Sequence, residues 1–397
     1  MLIHSARKLD ADGLVDDFWL TVDGGTISAV GSGAGWREHA AGHEVTDAEG
    51  HCLTPGFIGL HAHGAGGHSY DDGRQEILAA VATHRAHGST RSLISLVANP
   101  VEQLRESLGI VADLTAETPC ILGSHMEGPF LSVGKRGAHH PAFLCEPQPD
   151  LVNELIGAAR GTLRQITVAP ELPNALEAIQ ILVEAGVTVA VGHTEASFEQ
   201  TRAAFDAGAR MLTHAFNAMH GIHHRAPGPV IAAFEDERVT IELILDGLHV
   251  HPGIARMAFA SAPGRIALVT DAMAAAGAAD GNYRLGSLNV TVTHGIALLS
   301  GTSTIAGSTL TQDLSLRCAI SQAHIEPQAA VTALTATPAR ALGMEHTLGR
   351  LRPGFVADAV LLDHDWRLLS VWADGRPVPP AEEERDVSGL LPSPVSR

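Results

Sequence analysis

Six residues of this 397-residue chain share metal-ligand chemistry and a local setting: His61, His63, Glu127, His193, His214 and Asp271 each follow a short apolar run. Imidazole and carboxylate suit zinc, iron and other divalent ions. His61 and His63 form an HxH directly after GFIGL. Residues i and i+2 of an extended chain face one side, so both rings can reach one ion. Among 23 histidines an isolated HxH could equally be chance or structural; the strand end before it and the GAGG turn after it favour the metal reading. Glu127 closes the apolar stretch before the Gly-Pro of HMEGPF, and a buried carboxylate is costly unless paired or metal-bound. The bland alternative is a Glu already exposed in the loop. His193 in VTVAVGHT and His214 in MLTHAFNAM repeat the pattern. With Glu127 they give the carboxylate and two imidazoles of a catalytic site that leaves a position open for water, whose pKa the ion lowers towards 7. Asp271 ends IALVTDAM, where a carboxylate can take a proton from that water and return it to a leaving amine. A helix-capping or turn Asp is the competing reading. His125, one step deeper than Glu127 on the same side, reads as a supporting or packing residue.

Positive groups near the same motifs are few. Arg225 follows His214 in HHRAPGP, His249 lies in DGLHVHPG, and Lys135, Arg136, His139 and His140 follow Glu127. Each alone could be a solvated charge, Lys135 above all. As a set they suit an anionic substrate, with Arg225 able to grip phosphate through two N–H groups.

Eight apolar segments could position these residues: GFIGLHAH, TRSLISLVAN, CILGSHMEGPF, QITVAPEL, VTVAVGHT, ARMLTHAFN, VTIELILDG and RIALVTDAM. Helical patterns such as EILAAVATHRAHG and ALEAIQILVEAG lie between most of them. The leading architecture is therefore a (β/α)8 barrel of the TIM type, whose strand ends converge on one face. A doubly wound open sheet is the alternative, with ligands gathered mainly at one switch point. FWLTVDGGTISAVG near the start and GFVADAVLLDHDWRLLSVWADGRPV near the end both read as strands around tight turns. Both termini are expected to combine in a small β-sandwich domain, residues 1–54 and 344–397, around a barrel at 55–343. NYRLGSLNVTVTHGIALLS reads as an inserted hairpin, TLTQDLSLRCAI and PQAAVTALTATPARALG as closing helices, and the tail DVSGLLPSPVSR as poorly ordered.

The net charge of −18, from 26 Lys and Arg against 44 Asp and Glu, argues against nucleic-acid and anionic-membrane partners. Aromatic residues make up only 4%, so branched aliphatics must fill the core. The four cysteines show no CxxC pair, giving neither a thiolate metal site nor a disulfide framework. Without a signal-like or membrane-length apolar segment, a cytoplasmic location is expected.

HAHG, HMEGPF with KRGAHHP, VGHT, THAFNAM, DGLHV, LVTDAM and the late TIAGSTLT, in this order, resemble the N-acetylglucosamine-6-phosphate deacetylases of the amidohydrolase superfamily over nearly the whole chain. The resemblance implies the barrel with its terminal β-domain, and hydrolysis of the sugar's acetamide to glucosamine 6-phosphate and acetate. By motif, Glu127, His193 and His214 would bind the main metal, Asp271 would be the acid/base, and His139 would polarise the amide carbonyl. Ala138, Asn217, Ala218, Arg225 and His249, with Ile305, Ala306 and Gly307 of TIAGSTLT, would meet the substrate. The resemblance further implies a homodimer with Arg225 near the interface, and one or two divalent ions per subunit, zinc first and iron(II) as an alternative. His61 and His63 suggest a second ion, with Glu127 as the bridge. Arg136 stands where some relatives carry a cysteine, so that loop brings no thiol.

Overall fold

The computed structural model describes residues 1–380; the tail expected to be poorly ordered, 386–397, lies outside them. The eight apolar segments form eight parallel strands in sequential order: β1 (Phe57–Gly59), β2 (Ser89–Val97), β3 (Ile121–Glu127), β4 (Leu163–Val168), β5 (Thr188–Val191), β6 (Met211–Leu212), β7 (Thr240–Ile244) and β8 (Ile266–Val269). Helices cover the outside, so the strands need no polar face and read as near-continuous apolar runs; every residue of β2 is buried. The ring closes just beyond the strands. Ala62 bridges Ala272 in parallel, and the Asp271 amide donates to the His61 carbonyl at 3.0 Å. That closure also sets the HxH beside Asp271.

The chain ends meet in one eight-stranded sheet. Ala359–Leu362 pairs antiparallel with Cys52–Pro55, which lies beside Leu2–Asp10, and the sheet runs on to Thr26–Ser32 on one side and Arg376–Pro377 on the other. It has a core of its own, including Ile3, Phe18, Leu20, Leu53, Leu361 and Trp372. Two of its turns follow the chemistry read from sequence: Gly24 and Gly25 have φ of 58° and 83°, and Asp374 and Gly375 of 51° and 70°. Positive φ at both central residues matches the twist of the flanking strands. Arg91 on β2 joins barrel to sheet, donating to both oxygens of buried Asp358 (2.6 and 3.0 Å) and to Asp374 (2.6 Å).

The insertion after β8 is a three-stranded meander, Gly281–Leu285, Leu288–Thr293 and Ile296–Leu299, one strand more than a hairpin. Its inner face packs Leu285, Val290 and Val292 against Val97, Met273 and Ala306 at the barrel mouth.

Candidate metal centre

Each predicted ligand stands at a strand end. His61 and His63 follow β1, Glu127 is the last residue of β3, and His193, His214 and Asp271 each lie two residues past β5, β6 and β8. The last three adopt positive φ, 47°, 24° and 49°. Non-glycine residues hold such angles only where the surroundings over-determine them, and they cluster at functional sites. Here the chain must leave the barrel wall and still aim a side chain inward.

The side chains converge on Glu127, whose two oxygens face different groups. Oε1 lies 3.1 Å from His193 Nε2, 3.0 Å from His214 Nε2 and 3.3 Å from His61 Nε2. Oε2 lies 3.1 Å from His63 Nε2 and 3.2 Å from His139 Nε2. Asp271 Oδ1 is 3.3 Å from His63 Nε2 and 3.6 Å from His61 Nε2. His61, His63, Glu127 and Asp271 thus form one group with ligand atoms close enough to hold an ion, and Glu127 is shared with a second group completed by His139 and His193.

The far side of three of these rings fixes what their Nε2 can do. His61 Nδ1–H donates to Glu242 (3.1 Å), His63 Nδ1–H to the Ser95 carbonyl (3.2 Å) and His193 Nδ1–H to the Lys135 carbonyl (2.8 Å). Their Nε2 atoms therefore face the cavity, where a divalent ion would take the place of a proton. His139 is the reverse case. Its Nδ1 accepts the Ala98 amide at 3.3 Å, so its proton sits on Nε2. Although His139 is as close to Glu127 as the ligands are, it is a hydrogen-bond donor and not a metal ligand. Burial pushes its pKa down to about 4 against the pull of Glu127, which keeps it a neutral donor. The donor set and its tautomers fit a divalent ion held between Glu127 and the histidines.

Electrostatics agree. Burial would depress His61 and His63, but the charges of Glu127 and Asp271 hold both above the usual imidazole range, His63 at about 9. Burial would raise Asp271 and Glu127; His61 instead leads in drawing both down. The cavity is built to hold positive charge. Beneath it, His125 sits between Ser95 Oγ and Thr167 Oγ1, both at 3.0 Å, in the supporting position read from sequence.

Residues assigned to the substrate occupy the loops around this centre. Gly307 has φ of 63°, and a Cβ there would lie 2.8 Å from the Asp271 carbonyl. The next amide, of Ser308, donates to that carbonyl at 2.7 Å, so Ile305–Gly307 leads into the Asp271 strand end. Ala306 is fully buried with its amide bonded to Ala297, whereas Ile305 is exposed. Ala138 packs beside the meander next to His139. His249 Nδ1 contacts Asp246 at 2.7 Å, and the other Asp246 oxygen accepts the Leu248 and His249 amides. Burial would lower His249, but Asp246 holds it above its ordinary value. Asn217 donates to the carbonyls of His214 and Ala215, and Ala218 has φ of 51°. Arg225 is exposed and has no ion pair among the described residues. Arg136 and Lys135 donate only to carbonyls, of Val133 and Met219.

Two carboxylates escaped the sequence reading. Asp246 sits in the quoted motif DGLHV, three residues before His249. Glu242 lies inside an apolar strand, and its signal was a charged residue where burial is expected.

A barrel with histidines and carboxylates at its strand ends defines a metal-dependent hydrolase architecture, and the comparisons give the family. The amidohydrolase family model matches residues 52–383. An N-acetylgalactosamine-6-phosphate deacetylase of Escherichia coli O157:H7 is 35% identical, over 94% of this chain and 98% of that protein. An N-acetylglucosamine-6-phosphate deacetylase of Vibrio furnissii is 34% identical over 94% of each. An N-acetyl-D-glucosamine-6-phosphate deacetylase of Mycobacterium smegmatis, solved as an aspartate-to-alanine mutant in complex with N-acetyl-D-glucosamine-6-phosphate, is 42% identical with a TM-score of 0.91, covering 95% of this chain and 99% of that one. The chain belongs to the amidohydrolase family, and it is similar over nearly its full length to the amino-sugar-phosphate deacetylases within it.

Proposed function

We propose that this chain hydrolyses the acetamide of N-acetylglucosamine 6-phosphate, releasing acetate and glucosamine 6-phosphate. The observation that carries the reading is the pairing, across Glu127, of a neutral Nε2–H donor on His139 with the carboxylate of Asp271. His139 donates to the amide oxygen as negative charge develops there. Asp271 takes a proton from the attacking water as oxygen bonds to the carbonyl carbon, then delivers it to nitrogen as the C–N bond breaks. A divalent ion held by Glu127, His193 and His214, with His61 and His63 able to hold a second, supplies Lewis acidity that brings water's pKa towards 7. Zinc suits this imidazole and carboxylate set, as iron(II) does.

His249, whose pKa Asp246 raises, and Arg225 would take the phosphate, with Asn217 and Ala218 beside them. Arg225, exposed on its loop, fits a contact across a homodimer interface. Four free cysteines suit a cytoplasmic location. No helix of the described residues is long and apolar enough to cross a membrane.

Zinc-restored protein should release acetate from N-acetylglucosamine 6-phosphate, and kcat/KM for the unphosphorylated sugar should be at least about tenfold lower. No release in the presence of bound metal overturns the reading. The similarity to the Escherichia coli protein supports N-acetylgalactosamine 6-phosphate as a second substrate; the ratio of kcat/KM for the two epimers assigns the preference.

A further inference from the structure

The ligand histidines differ in what stands behind them. His63 and His193 are backed by neutral carbonyls of Ser95 and Lys135, and His214 Nδ1 has no partner among the described residues. His61 alone is backed by a carboxylate, Glu242, which is fully buried on β7. The oxygen that accepts His61 Nδ1–H, at 3.1 Å, also accepts the backbone amide of His214 at 3.3 Å. The other oxygen takes Gln165 Nε2–H at 2.7 Å. The carbonyl of Glu242 accepts the Ala215 amide at 2.8 Å, so the residue is fixed to the β6 strand end by backbone and side chain together.

A carboxylate behind a ligand imidazole fixes the tautomer and strengthens the ring as a donor more than a carbonyl does. We propose that Glu242 is the positioning residue of the His61/His63 arm: it makes His61 the stronger donor of the HxH and holds that arm in register with the His214 backbone. Without its charge the His61/His63 arm loses its ion, while the Glu127–His193–His214 arm keeps its own. The inference rests on the metal-dependent reading above but not on the identity of the substrate.

Glu242→Gln isolates the charge. Its amide oxygen can still accept from His61 and His214, and its NH2 faces Gln165, whose Oε1 has no partner among the described residues. Metal-stripped protein titrated with zinc against a chromophoric chelator should take up two ions per chain in separate steps. In E242Q the weaker step should loosen about 10- to 100-fold with the tighter step unmoved. His61→Asn should abolish the weaker step, and adding E242Q to it should change nothing further. Glu242→Asp keeps the charge with a shorter reach; it serves if E242Q does not fold, with loss expected at the weaker step alone. Folded E242Q with both steps unchanged overturns the proposal, as does wild-type protein that takes up a single zinc. Because the titration reads metal and not turnover, a protein that releases no acetate yet shows this pattern refutes the deacetylase reading and leaves the role of Glu242 standing.

Discussion

At the scale of the residue, the proposed division of chemistry between Asp271 and His139 rests on surroundings that hold them in opposite states. Charge from His61 and His63 keeps Asp271 ionised despite burial, while burial and the Ala98 amide keep His139 neutral with its proton on Nε2. Asp271→Asn removes the proton carrier and little volume. We expect metal content to stay near wild type by mass spectrometry and kcat to fall about 10²- to 10⁴-fold; loss of metal in parallel would make Asp271 chiefly a ligand. The ligands were legible because type and place coincided: a His, Glu or Asp directly after an apolar run announces a strand end. Glu242 was not, because one Glu inside VTIELILDG fits an alternating strand with a solvent-facing side, and only the closed barrel turns that side inward. The His139 tautomer was equally hidden, since it depends on an amide 41 residues away.

At the scale of the element, loops and helices hold the strand ends in place. The eight strands were readable because parallel strands covered by helices need unbroken apolar runs. The meander is read one strand short, since in Gly281–Leu285 only Leu285 is buried and little apolar pattern separates three strands from two. The segment after the meander carries Gly307 against the Asp271 backbone. Gly307→Ala would combine a φ of 63° with a Cβ 2.8 Å from that carbonyl, so the strand end must shift. The expected result is a stability loss of about 1–3 kcal/mol with a larger proportional fall in kcat than rise in KM; unchanged kcat would show that Asp271 tolerates the shift. Helix Arg74–Ala86 supports the HxH loop from the other side, through His84 Nε2–H to the Gly64 carbonyl at 3.1 Å. Burial lowers His84 from 6.5 to about 4. The unfolded chain thus binds a proton that the native helix refuses. The His84 contribution to stability is full above pH 6.5 and falls as pH drops from 6.5 towards 4. Denaturant midpoints across that window should decline in wild type and decline less steeply in His84→Gln; parallel slopes would remove His84 as the cause.

At the scale of the whole molecule, the buried Arg91–Asp358 ion pair and the packing of Leu9, Cys52, Val360, Leu362 and Val371 into the barrel core together tie the terminal sheet to the barrel. Turn chemistry made the terminal strands legible at both ends, but the partner of Arg91 was not, because Asp358 stands 267 residues away. The tryptophans make the joint measurable. Trp19, Trp36, Trp366 and Trp372 all belong to the terminal segments, while most helix lies around the barrel. Fluorescence therefore follows the terminal sheet and, through Trp366 against the barrel core, its joint with the barrel, while far-ultraviolet circular dichroism follows the barrel. With the Arg91–Asp358 pair intact, the two signals should lose structure in one transition. Asp358→Ala leaves a buried guanidinium with Asp374 and the Pro119 carbonyl as acceptors, and the Asp374 amide without its own. Breaking a buried pair by removing one partner costs about 3–5 kcal/mol, and Asp374 keeps the loss near the lower figure. The sheet has the smaller core and should fail first, so the fluorescence midpoint should move below the dichroism midpoint. Transitions that fall together would mean that the strand pairing and packing between the units, and not this ion pair, make them unfold as one.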